Sequence, residues 1–303
     1  MATAPIEPPQ RLVSSLSGDP DSAAQEWLHA LPTLVQQRLD AWELTLERVH
    51  APGGRSSLLA LVRQQDGTPA ALKLPVPGAR SAQEAAALAV WDGWGAVRLL
   101  RSDDGSGALL LERLQSGVSL RSLPEAKALL EAAGTARRLW VPPGAGHPFA
   151  TVAGRTEEAA EALRTAGADV RTAAPLVDEA LELRRALPAG SDEEFLLHGA
   201  FRQGKVLAGE RAPWLATGPA PVVGERAYDL AALVLDRFED VMAGSGAAAA
   251  ARRRVAKLAD SLDVDRDRLR DWTLYRAVDT GVREVAAGDR PRGELLLEFA
   301  AWL

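Results

Sequence analysis

The side chains that could carry out chemistry in this sequence lie mainly in one stretch, residues 195–231. His198, Arg202 and Lys205 share one short polar loop after an apolar run. Arginine and lysine donate hydrogen bonds to phosphate and carboxylate groups, so this loop favours an anionic ligand. The alternative is that Arg202 and Lys205 simply point into solvent. Asp229 adds one carboxylate near the start of an apolar segment later in the stretch.

The local pattern of this stretch predicts strands joined by tight turns. The apolar runs stand at 195–197, 206–207 and 214–216. Pro219 and Pro221 are expected to end the pattern, because proline cannot donate to a sheet ladder. A helix is predicted to begin at Tyr228 and to continue through Phe238.

The rest of the chain divides into an N-terminal part that mixes strands with helices and a helical remainder. Strands are predicted at 42–46, 57–62, 69–74, 95–100 and 108–112. Helices are predicted, from apolar residues at helical spacing, at 27–39, 81–91, 124–140, 155–166, 174–187, 252–262, 266–286 and 294–303.

Composition excludes several classes of function. The chain has 303 residues, no cysteine and a formal net charge of −6. Net acidity without a basic stripe argues against nucleic-acid binding, and no apolar run reaches the length of a membrane span. The lack of cysteine excludes disulfides and thiolate chemistry, and the four histidines show no metal-ligand spacing. The sequence starts without a signal-peptide pattern, so we expect a cytoplasmic protein.

The frame of the central stretch resembles the catalytic segment of the aminoglycoside phosphotransferases, in particular the streptomycin 6-kinase and hydroxyurea phosphotransferase branch. The matching residues are His198, Gly199, Gly204, Val206, Leu207, Trp214, Leu215, Ala216, Pro219, Pro221, Val222, Val223, Gly224, Asp229, Leu230 and Ala231. The resemblance implies a two-lobed, protein-kinase-like α+β fold. It assigns 21–113 to a lobe with a small antiparallel sheet and a helix, and 114–303 to a mainly helical lobe. Residues 1–20, rich in proline and serine, are predicted to be disordered.

The residues that carry the chemistry of this family are replaced. Ala200 stands where the family has its catalytic aspartate, and Lys205 and Gly218 stand where an asparagine and an aspartate bind Mg²⁺. Arg202 replaces a second histidine, and Ala220 replaces a lysine. Magnesium takes hard oxygen ligands, which the side chains now present do not offer. We therefore expect no metal site and no catalytic residue of the family mechanism.

Other positions of the family's nucleotide site are kept. The resemblance matches Lys73 to the lysine that reaches the nucleotide phosphates and Glu84 to the glutamate that pairs with that lysine. It places the hinge, whose backbone hydrogen-bonds adenine, at Glu112, Arg113 and Leu114. The alternative is that Lys73 and Glu84 are unrelated surface residues. His198 and Asp229 receive structural roles, because their family counterparts brace the catalytic loop.

These features favour a pseudokinase that binds a small molecule or anion in the cleft between its lobes, with ATP or ADP without Mg²⁺ as the candidate cofactor. One alternative is a repurposed natural-product or antibiotic-modifying enzyme that uses Lys73, Arg202 or Lys205 for electrostatic stabilisation. Another is a residual ATP-dependent small-molecule phosphotransferase with Glu194 or Glu225 as its base. Nothing in the sequence indicates an oligomeric state.

Overall fold

The computed structural model describes residues 6–17, 22–168, 170 and 173–303. The chain forms two compact units. The first contains residues up to Ser116 together with Ala208–Leu215, and the second contains Gly117–Leu207 and Ala216–Leu303. The short segment 208–215 therefore belongs to the first unit although the residues on either side of it belong to the second.

An antiparallel sheet forms the framework of the first unit. Its strands are β1 (Thr45–Val49), β2 (Ser57–Arg63), β3 (Pro69–Pro75), β4 (Leu99–Asp103) and β5 (Ala108–Glu112), in the spatial order β1-β2-β3-β5-β4. Its helices, within the described residues, are α1 (Gln10–Leu16), α2 (Ser22–Ala41) and α3 (Ala79–Trp91). In β2, Leu58, Ala60 and Val62 alternate onto a fully buried face, as the two-residue period of a strand requires.

The N-terminal segment differs from the disorder predicted for 1–20. Helix α1 forms within this segment, and Leu12 and Leu16 are buried in the core of the first unit. Residues 1–5 and 18–20 lie outside the described part of the chain. A helix of seven residues has little stability by itself. It is the packing of its two leucines that orders it, and composition does not reveal that packing.

The second unit is mainly helical. Its helices, within the described residues, are α4 (Glu125–Leu139), α5 (Val152–Ala168), α6 (Ala174–Ala189), α7 (Arg226–Val234), α8 (Phe238–Met242), α9 (Ala247–Leu262), α10 (Arg266–Ala286) and α11 (Arg290–Ala301). The long helix α10 packs against α6, α7 and α11, and its Leu269, Trp272 and Val278 side chains are fully buried. No helix in the described residues is both long enough and apolar enough to cross a bilayer.

Short strands carry the central stretch. β6 (Gln115–Ser119), β8 (Val206–Ala208) and β9 (Trp214–Ala216) form a sheet in the order β6-β8-β9, and β7 (Phe195–Leu197) pairs antiparallel with β10 (Val222–Gly224). The sequence does not predict β10, because Pro219 and Pro221 precede it. Both prolines lie just outside the paired residues, so they do not interrupt the ladder.

The helix predicted from Tyr228 through Phe238 is two helices, α7 and α8. Between them Arg237 adopts a left-handed backbone conformation, with φ of 56°. Asp236, immediately before it, is buried and accepts a 2.5 Å hydrogen bond from the backbone N–H of Gln203. Asp236, at the break between the two helices, thus holds the loop that follows β7.

Candidate functional site

The loop after β7 is built around a buried histidine. His198 is fully buried, its Nε2 lies 3.1 Å from the Thr217 carbonyl oxygen, and its Nδ1 accepts from the Ala200 backbone N–H at 3.3 Å. Since a carbonyl can only accept, Nε2 carries the proton and the ring is the neutral tautomer. Burial, and then the nearby Lys205 ammonium, lower the pKa of His198 to about 3. The imidazole therefore stays uncharged at neutral pH.

Asp229, from the first turn of α7, fastens the start of the same loop. Its Oδ2 accepts from the His198 backbone N–H at 2.9 Å and its Oδ1 from the Gly199 backbone N–H at 2.8 Å. Burial raises the pKa of this carboxyl, and the hydrogen bonds from the loop oppose that effect. Both carboxylate oxygens are used in holding the backbone, which is a structural arrangement.

Gly199 allows this loop to lie against the turn before β10. Its φ is +72°, and a Cβ atom built on it would stand 1.9 Å from the Ala220 carbonyl oxygen. The Ala220 backbone N–H donates to the His198 carbonyl oxygen at 2.9 Å. Arg155 then donates to the Ala220 and Pro221 carbonyl oxygens at 2.6 and 2.9 Å. The backbone of Gly199 lies against the backbone of Ala220, so position 199 has no room for a side chain.

Lys205 and Gly218, which the resemblance matches to Mg²⁺ ligands of the family, lie side by side. The Lys205 ammonium donates to the Gly218 carbonyl oxygen at 2.7 Å, and a Cβ atom on Gly218 would stand 4.0 Å from Lys205 Nζ. Neither residue offers a side-chain oxygen, and an ammonium repels a divalent cation. These residues do not fit a magnesium ion.

A cavity of about 390 Å³ in the second unit is lined by Ala200, Arg202 and Lys205, three of the positions that sequence comparison singles out. Its other charged lining residues come from distant segments and are mainly basic: Arg121, Arg237, Arg276 and Arg292, with Asp236 and Glu239 as the acids. Sequence reasoning misses these four arginines because each stands in a different part of the chain. The cavity is therefore electropositive next to Ala200, where the family resemblance leads us to expect a catalytic aspartate.

Lys73 and Glu84 form an ion pair in the first unit. Lys73 Nζ lies 2.6 Å from both Oε1 and Oε2 of Glu84, and the glutamate is buried. Strand β3 presents the lysine and helix α3 the glutamate. The alternative that these are unrelated surface residues is wrong, because the two side chains meet and are mostly shielded from water. Their contact with a nucleotide stays a prediction.

The predicted hinge residues use their side chains within the first unit. Arg113 donates to the Ala70 and Val62 carbonyl oxygens at 3.0 and 2.5 Å and pairs with Glu47 at 2.5 Å. The Arg113 guanidinium holds the pKa of the Glu47 carboxyl below its usual range. Glu112 accepts from the Arg98 backbone N–H at 2.7 Å. Adenine recognition by the backbone of 112–114, Leu114 included, stays a prediction.

Comparison with known proteins assigns the chain to a family. The family described as aminoglycoside/hydroxyurea antibiotic resistance kinase matches residues 41–288. A streptomycin 6-kinase from Streptomyces glaucescens is 34% identical over 286 residues, which cover 93% of this chain and 92% of the relative. The chain belongs to this family. A hydroxyurea phosphotransferase from Kitasatospora aureofaciens is 37% identical over 295 residues, which cover 94% of this chain and 82% of the relative.

The fold agrees with this membership. The structure of the aminoglycoside phosphotransferase APH(3'')-Id from Streptomyces rimosus, in complex with ADP and streptomycin, matches with a TM-score of 0.53 and 18% identity. The match covers 82% of this chain and 98% of that chain. At this identity the likeness concerns the fold alone. The predicted family and the predicted kinase-like α+β fold class are both confirmed.

The two carboxylates considered as replacement bases lie elsewhere. Glu225 is buried, pairs with Arg268 at 2.6 Å and accepts from the Trp272 indole N–H at 2.6 Å. Glu194 is exposed and lines a different cavity, together with Glu225 and Trp272. Ala200 is absent from that cavity's lining. Neither carboxylate lines the cavity that contains Ala200.

Proposed function

We propose that this protein is a member of the aminoglycoside/hydroxyurea kinase family that has lost phosphotransfer and binds a small anionic molecule. The observation that carries the proposal is the contact between Lys205 and Gly218. At two positions where the family holds Mg²⁺, this chain has an ammonium and a bare backbone carbonyl 2.7 Å apart. Ala200, which lines the same cavity as Lys205, has no oxygen to accept a proton from a hydroxyl.

A nucleotide without magnesium is the cofactor that this proposal includes. The Lys73–Glu84 pair supports it, because a partly buried ammonium held by a carboxylate is a suitable donor for phosphate oxygens. When bound, ATP would supply the transferable phosphoryl group. The side chains of Ala200 and Lys205 would then provide neither a proton acceptor nor a metal ligand, and Gly218 has no side chain to provide either.

The proposal is tested first by turnover. Purified protein is incubated with ATP, Mg²⁺ and either streptomycin or hydroxyurea, and phosphorylated product is measured by mass spectrometry. The streptomycin 6-kinase from Streptomyces glaucescens serves as the positive control. We expect no product above the no-enzyme background. Product formation that a Lys73→Met variant abolishes would refute the loss of phosphotransfer.

The role of magnesium is tested by binding. We expect ADP to bind with the same affinity in Mg²⁺ and in EDTA. In a Lys205→Asn/Gly218→Asp double variant, we expect Mg²⁺ to strengthen ADP binding at least about tenfold, which is about 1.4 kcal/mol. Asp is acceptable at 218 because its φ of +58° lies in the left-handed region that Asp and Asn also visit. Magnesium-dependent binding by the unaltered protein would contradict the proposal.

A second candidate is an enzyme that uses the same cavity for a different reaction. The observation that favours it is that Arg202, Lys205 and Arg276 line one cavity, since preorganised cations stabilise negative charge that develops in a transition state. This candidate predicts that a bound anion is chemically converted, which NMR would follow. The Arg202→Ala and Lys205→Ala variants should both slow that conversion. An anion recovered unchanged after long incubation supports the binding protein instead.

A further inference from the structure

The cavity next to Ala200 combines six basic side chains with two acidic ones. The basic residues are Arg121, Arg202, Lys205, Arg237, Arg276 and Arg292, and the acidic residues are Asp236 and Glu239. Both acids are engaged: Asp236 accepts the Gln203 backbone N–H at 2.5 Å, and Glu239 forms an ion pair with Arg292. The lining therefore carries an excess of positive charge that its own carboxylates do not balance.

Two of the arginines have donors to spare. Arg121 and Arg202 are exposed, and neither guanidinium forms a hydrogen bond or ion pair with another residue in the described part of the chain. Each guanidinium presents five N–H donors in a planar fork that matches two oxygens of a phosphate. The folded chain thus holds both side chains at the cavity although neither stabilises it through an ion pair.

Contacts with Tyr228 and Gly199 hold the Arg276 side chain in place. Its guanidinium donates to the Tyr228 carbonyl oxygen at 3.1 Å and to the Gly199 carbonyl oxygen at 3.4 Å, and it lies 4.4 Å from the centre of the Tyr228 ring. An arginine fixed by carbonyls and an aromatic face loses little further freedom when a ligand arrives. It provides a rigid donor beside the two arginines that have no partners.

The basic residues act on one another. Burial, and then the charge of Arg121, lower the pKa of Arg292. Arg292 is paired with Glu239 and Arg237 with Asp240. The charge that a bound anion would compensate is therefore mainly that of the remaining basic residues of the lining. The same excess of charge disfavours an aminoglycoside, whose amino and guanidino groups are protonated at neutral pH.

We propose that this cavity binds a small phosphorylated molecule without a metal ion, through Arg121, Arg202 and Arg276, and that it rejects cationic aminoglycosides. The proposal deepens the proposed function by naming the site and the ligand class. A volume of about 390 Å³ suits a molecule of the size of a sugar phosphate. Phosphate rather than carboxylate is favoured because three converging arginine forks can engage several oxygens of one group.

The test is isothermal titration calorimetry of the full chain with inorganic pyrophosphate in EDTA, with citrate and streptomycin as comparison ligands. We expect pyrophosphate to bind at low salt and to bind more weakly as NaCl is raised, because salt screens exposed charges. We expect citrate to bind at least about tenfold more weakly than pyrophosphate, and streptomycin not to compete. Citrate binding as tightly as pyrophosphate would overturn the phosphate assignment, and competition by streptomycin would overturn the rejection of cations.

Variants locate the site. Arg121→Gln and Arg202→Gln are each expected to weaken pyrophosphate binding about tenfold, since each removes charge-assisted hydrogen bonds. Neither side chain supports the fold through a described contact, so both variants are expected to melt at the temperature of the unaltered protein. Arg185→Gln, an exposed arginine on α6 outside this cavity, is the matched control and should bind normally. Equal affinity in all three variants, or no pyrophosphate binding at all, would refute the site.

This result is separable from the turnover test. Aminoglycoside phosphorylation together with Arg202-dependent pyrophosphate binding would remove the proposed loss of activity and leave the phosphate site standing. Absence of both turnover and pyrophosphate binding would refute the phosphate site and leave the proposed loss of activity standing.

Discussion

At the scale of single residues, the proposed loss of Mg²⁺ binding would change the charge of the site as well as its ligands. The resemblance matches Gly218 and Lys205 to an aspartate and an asparagine that bind Mg²⁺ in the family. The lysine ammonium bonds to the backbone at Gly218. The positive charge of Lys205 also helps to lower the pKa of the buried His198. His198 and Asp229 hold the backbone of this loop by hydrogen bonds, and Arg202 and Lys205 give the loop a positive charge.

The buried imidazole predicts how stability depends on pH. The pKa of His198 is about 3 in the folded protein and about 6.5 in an unfolded chain. Below pH 6.5 the unfolded chain therefore binds a proton that the folded protein does not bind, and stability falls as the pH falls. We expect this residue to cost about 2 kcal/mol of the free energy of unfolding between pH 7 and pH 5. Urea denaturation at both pH values measures it.

A His198→Gln variant provides the comparison for that prediction. It lacks the titrating group, so its loss of stability between pH 7 and pH 5 should be smaller than that of the unaltered protein by about 2 kcal/mol. Other groups titrate in both proteins, and their contributions cancel in the difference. Equal losses in the two proteins would show that the pKa of His198 is the same in the folded and unfolded states.

Asp229 should contribute more to stability than its single charge suggests. Asp229→Ala would leave the backbone N–H groups of His198 and Gly199 buried without acceptors, at a cost of about 2–5 kcal/mol in the free energy of unfolding. Asp229→Asn retains one carbonyl oxygen and should cost about half as much. Chemical denaturation measures both.

The exposed Asp192 is the matched control for Asp229. Asp192→Ala should change the free energy of unfolding by no more than about 0.5 kcal/mol. If Asp229→Ala were as mild as this control, the carboxylate could not be the brace of the loop.

At the scale of elements, the site is assembled from short strands and the loops between them. Strands β7, β8, β9 and β10 have three residues each. Such strands offer few ladder hydrogen bonds, so the loops between them depend on contacts such as the backbone approach of Gly199 to Ala220. The architecture of the loop is thus sensitive to substitutions that a longer strand would tolerate.

Two glycines in the second unit should respond in opposite ways to alanine. Gly199→Ala would force a Cβ atom against the Ala220 carbonyl oxygen at a positive φ, and we expect a loss of at least about 3 kcal/mol. Gly134 lies inside α4, is exposed, and has open space around a new Cβ atom. Gly134→Ala should therefore raise the free energy of unfolding by about 0.5–1 kcal/mol. Thermal and urea unfolding of the pair check the contrast; a stable Gly199→Ala protein would contradict this packing.

At the scale of the whole molecule, a chain with a net charge of −6 contains a cavity with excess positive charge. Overall acidity repels extended polyanions, whereas a recessed cationic site still admits a small one. The charge of the molecule and the charge of the site therefore lead to different expectations for nucleic acids and for small phosphates.

We expect no measurable affinity for duplex DNA. In fluorescence anisotropy at 0.15 M salt, a labelled 30-base-pair duplex should bind with a Kd weaker than about 100 μM, because a chain with a net charge of −6 repels the phosphate backbone of DNA. A sequence-independent DNA-binding protein serves as the positive control. Salt-sensitive DNA binding that Arg121→Gln and Arg202→Gln reduce would show that the cationic site opens onto a polyanion-binding surface.

The sequence allowed much of the secondary structure to be predicted, with exceptions that have physical causes. Helix α10 matches its predicted range, 266–286, because its apolar spacing is long and regular. Helix α1 was missed because its order depends on two leucines packing into a core that lies elsewhere in the sequence. The break between α7 and α8 was missed because it depends on a tertiary hydrogen bond from Gln203 to Asp236.

The sequence by itself determined the family, because its motif has the fixed spacing of that family, and the same spacing is the basis for our proposal that the side-chain oxygens at 200, 205 and 218 are lost. It also brought Lys73 and Glu84 into consideration. Only the tertiary structure decided that these two side chains meet, and that Arg121, Arg237, Arg276 and Arg292 surround one cavity with Arg202 and Lys205. The physical reason is that electrostatic potential depends on distances in space, and these arginines are brought together only when distant helices and loops pack.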